Sequence, residues 1–130
     1  MKFRVIAATC AAIAFWMVGP ASADQVFNEV IPNIPGKSLI ANEVIYAPGQ
    51  ATPPHMHAKS AFIFAYVVSG AIESKVNDGE TRIYRAGESW FEPPGAIHSI
   101  SRNASQTEPA KLLAVFVVDT NDKPTMTLIK

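Results

Sequence analysis

The sequence predicts an all-β domain, either a sandwich or a closed barrel. Three observations lead there. Beyond an N-terminal leader, no stretch sustains the apolar period of 3.6 that an amphipathic helix needs. Runs rich in Val, Ile, Phe and Tyr recur at strand length. The seven glycines and ten prolines of the 130 residues fall largely between those runs, where turns are required.

The leader comes first. Lys2 and Arg4 precede Val5 to Val18, an uncharged apolar run, and Gly19-Pro20 breaks any helix there. Ala21-Ser22-Ala23 then offers small residues at the spacing a signal peptidase accepts, so cleavage before Asp24 is expected. The run is too short to span a bilayer comfortably. The expected organisation is a signal peptide over residues 1–23, an extended arm over 24–36 that carries Pro32 and Pro35, and a β-barrel domain over 37–130. The expected location is periplasmic or secreted, with no membrane attachment after cleavage. Cys10 is the single cysteine and leaves with the leader, which excludes an intramolecular disulfide and thiolate chemistry in the mature chain. The 11 basic and 11 acidic side chains become 9 and 11 once Lys2 and Arg4 are removed. That balance excludes a basic nucleic-acid footprint and a charge-rich disordered tail.

The strands follow in order. Leu39 to Tyr46 is the first, and Pro48, Gly49, Pro53 and Pro54 punctuate the loop after it. Ala61 to Val68 is almost wholly apolar and reads as a strand covered on both faces. Ala71 to Val76 and Thr81 to Arg85 flank Asn77-Asp78-Gly79-Glu80, a hairpin turn by composition. Glu88 to Phe91, Ile97 to Arg102 and Lys111 to Val118 are separated by Pro93-Pro94-Gly95 and by the polar loop from Asn103 to Pro109. Met126 to Ile129 reads as an edge strand.

His55, His57 and His98 are all the histidines of the chain. Residues two apart on a strand share a face, so His55 and His57 can converge on one point. A third imidazole from another strand completes a facial three-nitrogen set, suited to iron, manganese, zinc, nickel or copper. Around them, Gly49, His55 and His57 match the spacing of the first motif of the cupin superfamily, G-x5-H-x-H-x3,4-E-x6-G, with Gly70 closing it. Gly87, Pro93, Gly95 and His98 match the second motif, G-x5-P-x-G-x2-H-x3-N, and Asn103 follows one residue late. The chain thus resembles a small single-domain cupin. The resemblance implies a double-stranded β-helix, or jelly-roll barrel, one divalent metal held by His55, His57 and His98, and a homodimer.

One position departs from the pattern. The motif glutamate falls on Ala61 or Phe62 counted from His57, or on Ile63 counted back from Gly70, and none of these is acidic. Glu92, just before Pro93-Pro94-Gly95, is the nearest carboxylate by sequence and a candidate ligand or general base. Strand parity does not carry across the proline corner, so a surface position is the competing expectation. The apolar residues from Phe62 to Tyr66 are expected to line part of a pocket for a small, partly hydrophobic ligand.

Two function classes are in view. One is a metal-dependent small-molecule enzyme, an oxygenase, isomerase or lyase, with dioxygenase-like chemistry compatible with three histidines. The other is a non-catalytic protein that binds a metal or a small molecule. A barrel without a site would tolerate replacement of His55 and His57. Fold alone does not choose among these.

Overall fold

The computed structural model describes residues 21–122 and 126–129, so most of the expected leader lies outside the described residues. Eleven strands and no helix make up the described chain, and no helix is long and apolar enough to cross a membrane. The strands are β1 (Ser22–Val30), β2 (Lys37–Tyr46), β3 (Ala51–Thr52), β4 (His55–His57), β5 (Phe62–Ser69) and β6 (Ala71–Val76). They continue as β7 (Arg82–Arg85), β8 (Ser89–Glu92), β9 (Ile97–Asn103), β10 (Ala110–Asp119) and β11 (Met126–Leu128). One sheet has the order β1-β2-β10-β5-β8. The other has the order β11-β4-β9-β6-β7, with β3 also paired to β9. Every pairing is antiparallel, and the two sheets are the layers of a double-stranded β-helix.

The core lies between the sheets in two clusters. Ile40, Ile63, Phe116 and Val118 are central to one, and Tyr46, Val67, Ile72, Trp90 and Leu112 to the other. Strand alternation supplies both, because β10 buries Leu112, Ala114, Phe116 and Val118 at every second position.

Two expectations change. The stretch expected to be an arm is extended, but Ser22–Val30 also pairs with β2 as an edge strand, with a register shift between Gln25 and Phe27. The strand expected to be covered on both faces is covered on one. Ile63, Ala65 and Val67 are 2%, 2% and 0% exposed, while Phe62, Phe64, Tyr66 and Val68 are 38–45% exposed. Each sheet is an outer wall of a two-layer fold, so only alternate residues meet the interior. An unbroken apolar run hides that alternation.

Gly70 shows why the β5–β6 corner needs glycine. Its φ is +72°, and an added Cβ would stand 2.6 Å from the Pro109 carbonyl oxygen and 2.9 Å from Ala110 Cα. Both obstacles are backbone and cannot rotate away. Gly70→Ala is expected to destabilise the fold by about 2–4 kcal/mol, read as a lower urea midpoint at unchanged slope. An unchanged midpoint would show that the corner relaxes freely.

Candidate metal centre

Short strands position the three histidines. Pro53-Pro54 ends the preceding loop, and β4 leads two imidazoles inward from one face. The β4–β9 ladder then sets His55 directly opposite His98. Pro93-Pro94-Gly95 makes the corner before β9, closed by a hydrogen bond from Ala96 N–H to the Pro93 carbonyl of 3.1 Å.

The three rings converge. The His55 centroid lies 4.8 Å from that of His57 and 5.0 Å from that of His98. One nitrogen from each histidine lies within 4.8 Å of the others, a set able to hold a metal ion. Phe116 packs edge-on against His57, with ring centroids 5.2 Å apart.

Neighbours fix the ring orientations. His55 Nδ1 lies 2.8 Å from the Pro53 carbonyl oxygen. A carbonyl only accepts, so Nδ1 carries the proton and Nε2 keeps its lone pair for the cluster. His98 Nε2 is hydrogen-bonded to Ser74 Oγ at 2.8 Å. Burial pushes the His55 pKa down, against an opposing pull from the Pro53 carbonyl. Burial, then the charges of His55 and His57, holds His98 down at about 3. The buried imidazoles are therefore neutral at physiological pH, the form that binds metal.

Glu92 comes from β8 and points into the same space. It is 2% exposed. Its Oε1 accepts the Trp90 indole N–H at 3.3 Å and lies 3.2 Å from His98 Nδ1. Its Oε2 lies 3.4 Å from His57 Nε2 and has no hydrogen-bond partner. Burial pushes its pKa up to about 7, with the Trp90 hydrogen bond opposing.

The site opens on a cavity of about 240 Å³. Tyr46, Ile63, Ala65, Leu112 and Phe116 form part of its wall, so the β5 contribution comes from Ile63 and Ala65 rather than from the phenylalanines. A polar rail runs along one side, where Tyr46 Oη is hydrogen-bonded to Ser101 Oγ at 2.7 Å and to Thr52 Oγ1 at 2.9 Å. The partners Ser74, Ser101 and Thr52 carried no sequence signal, because serine and threonine are common on strands and nothing in their spacing marks them.

Asn103 explains its own late position. It is buried, and Nδ2 donates to the carbonyls of Tyr46, Ala47 and Glu108 at 3.4, 3.1 and 2.7 Å. The β6–β9 ladder shifts register between Val76↔His98 and Lys75↔Ile100. A β-bulge at Ser99 takes up the extra residue and returns Asn103 to the interior.

The comparisons agree with this architecture. The cupin domain model matches residues 42–116. A germin-like protein, subfamily 2 member 2, of Arabidopsis thaliana is 30% identical over 92 residues. That match takes in 68% of this chain, and the chain spans 41% of the relative's length. Protein TT1209 of Thermus thermophilus superposes with a TM-score of 0.61 at 26% identity, over 76% of this chain and 84% of that one. Oxalate oxidase in complex with the substrate analogue glycolate superposes with a TM-score of 0.60 at 26% identity, over 70% of this chain and 46% of that one. With both motifs, the barrel topology and the family match in agreement, the chain belongs to the cupin family.

Proposed function

We propose that this chain is an exported metal-binding cupin that acts on a small molecule at His55, His57 and His98. One observation carries the reading: three imidazoles converge beside an apolar cavity, two of them with depressed pKa values. The unpartnered Oε2 of Glu92 beside them fits a cation better than it fits an apolar core. The ion is a divalent transition metal, one of iron, manganese, zinc, nickel or copper. When bound, it supplies Lewis acidity or redox chemistry at the cavity floor. The reaction is of the oxygenase, isomerase or lyase type. Similarity to oxalate oxidase supports a small-molecule substrate.

The leader over residues 1–23 directs export to the periplasm or beyond, followed by the segment 24–36 and the barrel domain 37–130. The protein pairs as a homodimer through the outer face of the five-stranded sheet. The aromatic row of β5 and Phe91 supports that surface, because exposed apolar patches of this kind mark contact sites.

Elemental analysis tests the metal centre. Protein purified without chelator is expected to carry close to one transition-metal ion per chain, and a His57→Ala, His98→Ala double variant to carry none. Redox-active metal then calls for dioxygen-uptake assays. Metal without turnover of any carbonyl or phenolic compound leaves the binding-protein alternative. A parent that takes up none of the five ions sinks the proposal.

A further inference from the structure

We propose that Glu92 is a fourth protein ligand of this metal centre, contributing Oε2 from β8. The inference rests on the metal-site reading above and names a donor beyond the three histidines.

Placement is the first argument. β5 and β8 are paired so that Ile63 and Glu92 are direct Cα partners. Ile63 occupies one of the positions where the first motif would carry its acid, and it lines the cavity. Glu92 stands across the ladder from it on the same wall. The acid missing from one strand is present on its neighbour, one interstrand spacing away.

Distances are the second. Donors bound to one ion at about 2.1 Å, at angles between square and tetrahedral, lie about 3.0–3.4 Å from each other. Glu92 Oε2 lies 3.4 Å from His57 Nε2, and Oε1 lies 3.2 Å from His98 Nδ1. The first is a spacing between two ligands of one metal; the second involves the oxygen that Trp90 holds and places the carboxylate against the His98 ring.

Hydrogen bonding is the third. Trp90 holds Oε1 and so fixes the plane of the carboxylate. Oε2 is buried and accepts no hydrogen bond, a costly state for a carboxylate oxygen unless a cation lies against it. Ser74 and Pro53 restrain His98 and His55 in the same way, each leaving the inner side of the ring toward the cluster. The centre would then have three neutral nitrogens and one anionic oxygen, which reduces a divalent charge to +1 and favours harder ions.

Cobalt(II) binding to the full-length protein and to E92Q tests this, by competition with a chelator and by visible absorption. Glutamine keeps the shape and an acceptor for Trp90 but removes the anionic donor. The expected result is on the order of 100-fold weaker binding, or more, with shifted ligand-field bands. E92D, with its oxygens drawn back by one methylene, is expected to bind more weakly with a third spectrum, and it serves if the glutamine variant fails to fold. Unchanged bands in both variants overturn the assignment even where affinity falls, because Glu92 then lies behind the histidines and not on the ion. A parent that binds no cobalt or other transition metal overturns the metal centre itself, and this ligand with it.

Discussion

Metal-free E92Q is expected to be more stable than the metal-free parent by about 3 kcal/mol at pH 8 and by nothing at pH 4. Burial raises the Glu92 pKa from 4.5 to about 7. At about 1.4 kcal/mol per pKa unit, the folded state resists ionisation by that amount. The shift is upward, so the native protein holds its proton more tightly than the unfolded chain does. Stability is therefore lost as pH rises from 4.5 through 7, and it is constant above. His98 works in the opposite sense. Its pKa falls from 6.5 to about 3, so stability is lost as pH drops from 6.5 toward 3. Between pH 4.5 and 6.5 these two groups cancel: the native state keeps one proton on Glu92, and the unfolded state keeps one on His98. E92Q removes one side of that balance. Its stability should climb across this window by about 1.4 kcal/mol per pH unit, with His55 adding to the climb. His98→Gln should move its slope the other way. Urea midpoints of chelator-treated protein at pH 4, 5.5 and 8 check this, and an E92Q curve parallel to the parent's would refute it.

The Phe64→Glu, Phe91→Glu double variant is expected to sediment as a monomer where the parent sediments as a dimer. The two residues are direct partners across β5 and β8, and they point outward at 43% and 60% exposure. Phe62 stacks on Phe91, and Phe64 on Tyr66, so the substitutions break the middle of one aromatic surface. Each phenylalanine buried in an interface contributes about 1.5–3 kcal/mol, and four carboxylates facing across a two-fold axis add repulsion. Together these weaken association by at least about 10³-fold. The fold should survive, since neither residue belongs to the core clusters. Sedimentation at micromolar concentration, with circular dichroism beside it, decides the matter. A monomeric parent would remove the dimer proposal.

Much of this was legible in the sequence for identifiable reasons. His55 and His57 are two apart, and Gly87, Pro93, Gly95 and His98 keep the spacing of the second cupin motif, so the resemblance brings the three imidazoles to one site. The strands β5 to β10 are bracketed by Gly, Pro and polar turns, and the structure moves their ends by no more than one residue. The histidine strand itself was not legible as a strand, because three residues are too few for a period to show. The sequence offers Glu92 as the nearest carboxylate, but its direction depends on the β5–β8 register, a long-range property. Apolar composition does not say which face of a strand is covered, so the outward phenylalanines read from sequence as buried. The bulge at Ser99 was present as a one-residue discrepancy, with no local cue to identify it.

β4 also bears on how fast an ion can come and go. It is held between β9 and β11, and its ladder to β11 is three residue pairs long, with all three β11 residues exposed. A short, solvated ladder is the cheapest part of such a sheet to open. When β11 lifts away, the strand carrying His55 and His57 becomes a free edge, while the core clusters stay closed. Exchange of a bound ion would then follow the breathing of the chain's end and not global unfolding, and the amides of β4 and β11 should lose deuterium protection together, ahead of those in β10.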